Sequence, residues 1–264
     1  MPKIERLGIV SYTNVAPLHF GLETWPSVEF VRGVPSQLNK QLLNHEIDLT
    51  LISSIEFIKH AADLKALPDF SISTLGKVFS VILFSKKPWQ GLENSTIAIT
   101  TQSATSVELL RILLREKGIS AELVPLEASL EEMLAAHSAA LLIGDNALIE
   151  ATKDHKHYIY DLGEEWYKLT KLPFTFAVWA SHKNNKPSKI LVEKLRQARI
   201  AGLGNLEKVS EQESKKLNLD RTIIQKYLAN FRYYLDLPDR DGLVKFAQKA
   251  VVGLELDRLE YWDI

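Results

Sequence analysis

A regular alternation of strand-like and helix-like segments most constrains the fold of this chain. The strand-like runs are short, apolar and rich in Val, Ile and Phe, as at Arg6–Tyr12, Asp48–Ser53 and Phe174–Ala180. Between them lie segments whose apolar residues recur every three or four positions, as in Ala104–Lys117, where Gly118 can end the helix. Such alternation is typical of helices packed against a parallel or mixed sheet, so the sequence predicts an α/β fold.

The end of the chain has a different pattern. From Ser188 onward the sequence predicts helices only, around Lys189–Leu203, Arg221–Ala229 and Asp241–Glu255, with polar turns between them. Earlier, the apolar run Lys77–Ser85 predicts a single buried strand. We therefore expect the strands to come from the part of the chain before Ser188.

Composition excludes several classes of protein. With 264 residues and 46% hydrophobic side chains, the chain can bury a large core without disulfides or metals. The 32 Lys and Arg residues balance 33 Asp and Glu residues, so there is no basic footprint for nucleic acid. The absence of cysteine excludes thiolate nucleophiles and Cys-based metal sites, and the His residues form no HExxH motif. The sequence therefore predicts no metal.

No membrane span or export signal is visible in the sequence. No stretch approaches the roughly 20 consecutive apolar residues of a membrane span. The first residues lack the apolar core of a signal peptide. If the chain is complete, we expect a cytoplasmic protein that does not bind membranes. We also expect exposed aromatic residues near Tyr227–Tyr234, which could form the contact of a homodimer.

Two predicted strand-to-helix corners carry hydroxyl and amide side chains. The first follows strand Leu7–Val10 at Ser11–Asn14, and the second follows Ile97–Ile99 at Thr100–Ser106. Helix N-termini present unpaired N–H groups and partial positive charge, so they receive anions well. Because neither glycine-rich phosphate motif occurs, a carboxylate is favoured over a nucleotide. The repeated corner suggests two α/β lobes that face a shared cleft.

The candidate ligand-binding residues lie at these corners and at other strand ends, where open α/β sheets bind ligands. Asn14 and Ser80 are the first candidates, although Asn14 could equally cap a helix. Ser80 lies inside the predicted strand and could bond either to the backbone or to a ligand. Ser103 or Thr105 could be only an N-cap. The further candidates are Ser11, Thr13, Ser53, Ser54, Ala104, Ser106, Gly144 and Asp145.

Seven segments are specific in combination. In chain order they are RLGIVSYTNVAPL, VPSQLNKQLLNHEIDLTLISSIEF, GKVFSVILFSKKP, IAITTQSATSVELLRILL, ALLIGDNAL, DLGEEW and LPFTFAVW. In this order and spacing they resemble the chorismate dehydratases, a family of the futalosine route to menaquinone. The resemblance runs almost from one end of the chain to the other.

The resemblance implies a type II periplasmic-binding-protein-like fold, with two α/β lobes around a ligand cleft. Two crossovers join the lobes in that fold, and we expect them near Ser85–Gly91 and near Phe176–Ala180. Residues 1–85 and 180–264 would form a discontinuous first lobe that ends in the C-terminal helices. Residues 86–179 would form the second lobe.

The resemblance also implies the reaction. The family eliminates water from chorismate to give 3-[(1-carboxyvinyl)oxy]benzoate, a carbon–oxygen lyase reaction that needs no cofactor because aromatisation drives it. By motif, Asn14 would act at the reacting ring, and Ser80 would hydrogen-bond the substrate. Ser103, Thr105 and Ser106 would hold a carboxylate. No acid or His stands beside Asn14 as a base, so we expect the enolpyruvyl carboxylate of the substrate to remove the proton.

Two other functions remain open. The enzyme 1,4-dihydroxy-6-naphthoate synthase belongs to the same pathway and shares the fold. Its N-terminal corner resembles Ser-Pro-Cys-Pro-Asn-Asp-Thr, whereas this chain has SYTNVAP at 11–17 and no cysteine. A receptor for a small carboxylate could also use this fold without any catalysis.

Overall fold

The computed structural model describes residues 5–22, 25, 28–251, 253 and 258–264. Its strands are β1 (Glu5–Val10), β2 (Val28–Gly33), β3 (Leu49–Ser53), β4 (Leu64–Thr74), β5 (Val81–Ser85), β6 (Thr96–Ile99), β7 (Glu122–Pro125), β8 (Ala139–Ile143), β9 (Tyr158–Asp161), β10 (Phe174–His182) and β11 (Phe231–Arg232). Its helices are α1 (Ala16–His19), α2 (Pro35–Leu43), α3 (Ser54–Lys59), α4 (Ala104–Glu116), α5 (Leu130–Ala136), α6 (Gly144–Ala151), α7 (Leu162–Thr170), α8 (Lys189–Gly204), α9 (Leu206–Leu217), α10 (Arg221–Ala229) and α11 (Leu237–Ala250). One-turn 3₁₀ helices span Thr13–Val15 and Trp89–Leu92.

The strands form two mixed sheets. The six-stranded sheet has the order β11-β4-β10-β3-β1-β2, and the five-stranded sheet has the order β7-β6-β8-β5-β9. In the first, β1 runs parallel to β2 and β3, whereas β10 runs antiparallel to β3 and β4. In the second, β6 runs parallel to β7 and β8, whereas β5 runs antiparallel to β8 and β9. The predicted α/β fold with two lobes is confirmed.

The central strands are buried along their whole length and are mainly apolar. Every residue of β3, β5 and β8 is buried. The edge strands β2 and β7 instead contain exposed residues. A strand buried on both faces forms a continuous apolar run rather than an alternating one. This is why these three strands could be predicted from short apolar segments alone.

The chain crosses between the sheets at positions that differ from the predicted crossovers. It leaves the six-stranded sheet after β4 and enters the five-stranded sheet at β5, so the first crossing is the segment 75–80. The predicted crossover at Ser85–Gly91 follows β5 and is therefore too late. The second predicted crossover, Phe176–Ala180, lies inside β10, and the chain has already returned by Phe174. We propose that these two crossings, rather than residues 85/86 and 179/180, bound the lobes.

The predicted strand Lys77–Ser85 is wrong in its first half. The strand begins at Val81, and Ser80 lies in the turn before it. Phe79 has a φ of 63°, in the left-handed region, which an extended strand cannot contain. Apolar residues flank this turn on both sides. Because a buried turn and a buried strand have similar composition, the sequence pattern does not distinguish them here.

Sequence analysis missed β4, α6, α9 and β11. Strand β4 contains Pro68, which removes a donor from the ladder, and its pairing with β10 has two register shifts. The prediction of helices only after Ser188 fails at the two-residue strand β11. Helix α11 begins at Leu237 rather than Asp241, and its predicted end at Glu255 lies outside the described residues.

The aromatic residues expected at the surface near the C-terminal helices are mostly core residues. Tyr227 and Tyr233 are each only 2% exposed, whereas Tyr234 is 39% exposed. The Tyr234 ring stacks against the buried Arg199 guanidinium, 4.0 Å from its centroid. The expected aromatic dimer contact therefore loses its basis, and a homodimer stays a prediction. Among the described residues, no helix combines the length and the hydrophobicity that a transmembrane span requires.

Helix α8 packs closely on the segment that follows the first corner. A Cβ atom at Gly202 would lie 2.0 Å from the Pro17 carbonyl oxygen of α1. Only glycine allows this approach, since the contact is between two backbones and neither can rotate away. The position of α1, and with it the corner that carries Asn14, depends on this contact.

Because of His19 at the end of α1, we expect the free energy of unfolding to decrease at acidic pH. Its Nε2 atom is buried and has no hydrogen-bond partner among the described residues. Burial, with a smaller effect of Arg32, lowers the pKa of His19 from 6.5 to about 3. Because the unfolded chain binds the proton more tightly, stability is complete above pH 6.5 and falls as pH drops towards 3. We expect about 1 kcal/mol of unfolding free energy to be lost between pH 7 and pH 5.5.

Urea unfolding of wild type and His19→Phe at these two pH values measures this effect. The variant should lose less unfolding free energy on acidification, because Phe cannot take up a proton. Equal losses in the two proteins would contradict the prediction.

Candidate active site

A cavity of about 70 Å³ lies between the two sheets. Its walls come from both lobes and are mainly apolar, with Leu51, Ile72 and Phe176 from the six-stranded sheet and Val81 and Ile143 from the five-stranded one. A small number of polar groups interrupts these walls, as is usual in small-molecule sites. The predicted site residues that line the cavity are Asn14, Ser53, Ser80, Ser103, Ser106 and Gly144.

Asn14 lies directly after β1 in the 3₁₀ turn Thr13–Val15. Its Oδ1 atom is buried and has no hydrogen-bond partner among the described residues. Its backbone carbonyl accepts a hydrogen bond from the Tyr233 hydroxyl at 3.0 Å, and this contact holds the turn in place. Asn14 caps neither this turn, whose N-cap is Tyr12, nor α1, whose N-cap is Val15. A buried amide oxygen without a partner is rare and indicates that a ligand group can satisfy it.

Ser80 lies at the entrance of β5, on the opposite lobe from Asn14. Its carbonyl accepts a hydrogen bond from the Gly144 N–H at 2.8 Å. Its hydroxyl has a long contact of 3.5 Å to the Val78 carbonyl and a weak contact with Tyr227. Burial raises the pKa of Tyr227, and the neighbouring Ser80 side chain partly opposes this effect. The Ser80 hydroxyl is thus weakly engaged and available to a ligand.

The N-terminus of α4 faces the cavity through Ser103 and Ser106. Ser103 is the N-cap of this helix, and its Oγ accepts a hydrogen bond from the Ser106 N–H at 3.2 Å. The Ser103 hydroxyl also donates to the Ser106 hydroxyl at 2.9 Å. The capping interpretation of Ser103 is therefore correct, and the cap lines the cavity as well. The positive end of a helix that is 13 residues long is directed at the same space.

Thr105 and Ala104 do not line the cavity. Thr105 is buried, and its hydroxyl accepts a hydrogen bond from the Ile55 N–H of the other lobe at 3.1 Å. Ala104 is exposed on the outer side of the same helix turn. Thr105 therefore joins the lobes through this hydrogen bond, and neither Thr105 nor Ala104 contacts the cavity.

Three further predicted residues, Ser11, Thr13 and Asp145, form contacts around the first corner. Asp145 accepts a hydrogen bond from the Thr13 N–H across the cleft at 3.0 Å, and its other oxygen lies 3.5 Å from the Lys216 ammonium. The Thr13 hydroxyl donates to Glu213 at 2.7 Å. Ser11 is exposed, and its carbonyl accepts from Lys216 at 3.0 Å.

Of the remaining pair, Ser53 lines the cavity, whereas Ser54 does not. Ser53 lines the cavity, and its hydroxyl accepts a hydrogen bond from the Asn39 amide at 2.9 Å. The buried Ser54 hydroxyl donates to the Thr175 carbonyl at 2.6 Å. Ser54 thus stabilises the start of α3 against β10 and is not directed at the cavity.

Sequence analysis missed a set of hydrogen bonds that connects the two lobes beside the cavity. The Tyr12 hydroxyl of one lobe donates to the Gln102 amide oxygen of the other at 2.6 Å. Gln102 in turn donates to Glu127 at 3.0 Å, as does Thr100. Burial raises the pKa of Glu127, but hydrogen bonds from Thr101, Thr100 and Gln102 outweigh it and lower that pKa. Glu127 comes from a loop without any motif, so no sequence signal could have found it.

The cavity wall, as far as the described residues form it, contains neither cationic side chains nor carboxylate or imidazole side chains. No Lys or Arg of the described residues lines it, and neither does any Asp, Glu or His from these ranges. In the described part of the chain, no group of three or more His, Asp or Glu residues could hold a metal ion. An anion in this cavity would thus be held by hydroxyls, amides and helix N-termini.

Comparison with known proteins agrees with this geometry. A family model described as menaquinone biosynthesis matches residues 5–251. A chorismate dehydratase of Thermus thermophilus is 42% identical to this chain and aligns with 92% of it and with 93% of its own length. The chain belongs to the chorismate dehydratase family. Another chorismate dehydratase, from Campylobacter jejuni, is 29% identical over 94% of this chain and 98% of its own.

Solved structures place the chorismate dehydratase family fold among the periplasmic binding proteins. A protein from Archaeoglobus fulgidus superimposes with a TM-score of 0.74 at 18% identity, over 93% of this chain and 96% of its own. The periplasmic aliphatic sulphonate binding protein of Escherichia coli superimposes with a TM-score of 0.69 at 15% identity, over 100% and 93%. The predicted periplasmic-binding-protein-like fold is confirmed.

Proposed function

We propose that this chain is a chorismate dehydratase, a hydro-lyase that converts chorismate into 3-[(1-carboxyvinyl)oxy]benzoate. The observation that carries the proposal is the unpaired, buried Asn14 oxygen in the cavity between the lobes. The identity of 42% to a chorismate dehydratase over nearly the full length supports the same reaction. The relatives support this enzyme over 1,4-dihydroxy-6-naphthoate synthase. A cytoplasmic location stays a prediction.

The chemistry of the cavity suits a ring with two carboxylates. The apolar walls can cover the ring, while the N-terminus of α4 at Ser103 and Ser106 can bind one carboxylate. The N-terminus of α6 at Gly144 and that of α2 at Pro35 also reach the cavity.

In the proposed reaction a proton leaves C3 and hydroxide leaves C4, and the ring becomes aromatic. The cavity wall contains no Asp, Glu or His of the described residues that could act as the base. This supports elimination assisted by the substrate, in which the enolpyruvyl carboxylate takes the C3 proton. Holding that carboxylate beside C3 can contribute several kcal/mol, up to roughly 7–11 in ideal cases. Asn14 would orient the reacting ring, and Ser80 would hydrogen-bond it from the other lobe.

The test is to mix the purified protein with chorismate and to follow the products by proton NMR. New aromatic signals with an intact enolpyruvyl group are the expected result. Chorismate that binds and stays unchanged would overturn the dehydratase proposal. That outcome would favour a receptor, in line with the fold shared with the sulphonate binding protein.

A further inference from the structure

Asp161, the last residue of β9, binds four backbone N–H groups with one buried carboxylate. Its Oδ1 accepts from Gly163 at 3.0 Å, from Glu164 at 3.1 Å and from Val78 at 3.0 Å. Its Oδ2 accepts from Val78 at 2.9 Å and from Phe79 at 2.7 Å. The contacts to Gly163 and Glu164 cap helix α7. The contacts to Val78 and Phe79 serve no cap, because these residues belong to the distant crossing segment 75–80.

The turn that Asp161 holds is one that the chain does not favour by itself. Phe79 adopts a left-handed φ of 63°, which is unfavourable for a bulky residue. Its side chain is 37% exposed, so packing contributes little to that conformation. Gly163 brings the crossing close to α7, since a Cβ there would lie 2.6 Å from the Gly76 carbonyl oxygen. The Asp161 contacts thus compensate for backbone strain one residue before Ser80.

Ser80 is fixed from two sides as a result. On one side Asp161 binds the N–H groups of the two preceding residues. On the other side the Gly144 N–H donates to the Ser80 carbonyl. The Ser80 hydroxyl makes only weak side-chain contacts, to the Val78 carbonyl and to Tyr227, so its position is set mainly by its backbone.

We propose that Asp161 is a positioning residue for the dehydration, which it serves by fixing the Phe79–Ser80 turn so that the Ser80 hydroxyl faces the substrate. This inference rests on the proposed function, because Ser80 matters only if the cavity binds chorismate. Asp161 itself does not line the cavity.

The principal test is Asp161→Asn. The side chain keeps one oxygen for the cap of α7, but the amide nitrogen replaces an acceptor and faces the N–H groups of Val78 and Phe79. We expect kcat with chorismate to fall about 100-fold, the size of effect that a displacement of about 1 Å causes, and KM to change by less than about threefold. Amide hydrogen exchange in the segment 77–80 should become faster.

Two comparisons separate positioning from a general loss of stability. Ser129 caps α5 of the same lobe, so Ser129→Ala should lower the melting temperature and leave kcat unchanged. The double variant Asp161→Asn with Ser80→Ala should be no slower than Ser80→Ala alone. Both changes remove the same contribution to kcat, that of the correctly placed Ser80 hydroxyl. If Asp161→Asn does not fold, Gly163→Ala tests the same turn by pushing against the Gly76 carbonyl, and it should also lose kcat.

Several results would overturn the inference. A folded Asp161→Asn or Gly163→Ala variant with the kcat of wild type would do so while leaving the proposed function intact. So would multiplicative losses in the double variant, or unchanged hydrogen exchange in 77–80. An equal loss of kcat in Ser129→Ala would show that stability alone is responsible. Wild-type protein that does not turn over chorismate would overturn the proposed function and this inference with it.

Discussion

Asn14→Ala is expected to lower kcat for chorismate about 100- to 1000-fold, the range found when one preorganised polar contact to a reacting group is removed. The Asn14 oxygen is buried in the cavity with no partner among the described residues, so the protein gains nothing from it until a ligand binds. The backbone of the turn should stay in place, because Tyr233 binds the Asn14 carbonyl rather than its side chain. Rates from proton NMR and melting temperatures measure the two effects separately.

Asn44→Ala is the matched control for Asn14→Ala. Asn44 is exposed at the C-terminal end of α2 and does not line the cavity, so kcat should stay within about twofold of wild type. Full turnover by Asn14→Ala would remove the centre of the proposed mechanism. A large drop in its melting temperature would instead indicate a structural role.

Gly202→Ala is expected to reduce the free energy of unfolding by about 3 kcal/mol, the upper part of the usual range for overpacking. The added methyl group would lie 2.0 Å from the Pro17 carbonyl oxygen, so α8 and α1 must separate. Because α1 follows the corner that carries Asn14, kcat should fall in the folded fraction as well. Urea unfolding followed by circular dichroism measures the stability change.

Gly204→Ala provides the control for this change on the same helix. A Cβ at Gly204 would meet nothing within 4 Å, so the variant should be unchanged or more stable by up to about 1 kcal/mol. Equal stability of the two variants would contradict the close packing of α1 and α8.

Local patterns were sufficient to predict the two lobes and most of their strands. The helices Lys189–Leu203 and Arg221–Ala229 were predicted almost to the residue, because their apolar spacing and flanking polar turns are strong signals. The turn at Ser80 could not be predicted, because its cause is the carboxylate of Asp161, far away along the chain. Strand β4 was missed for a similar reason, since its pairing with β10 tolerates Pro68.

The candidate site shows the same division between local and distant causes. Hydroxyl-rich corners after strands predicted the cavity residues Asn14, Ser103 and Ser106. Composition could not separate these residues from Thr105 and Asp145, which instead join the lobes. The difference lies in which way each side chain points, and that is set by the packing of the two lobes together.

Ser80 lies in one of the two segments that connect the lobes, so its position depends on how the lobes are arranged. The described chain passes between the two sheets at two places, and the first of these, the segment 75–80, contains Ser80. Separation of the lobes requires backbone rotation in these connecting segments, whereas Asn14 stays attached to β1 of the first sheet. Any separation of the lobes would therefore change the distance between Ser80 and Asn14, which line the same cavity in this structure. The relative position of these two proposed site residues thus depends on how closely the two lobes approach each other.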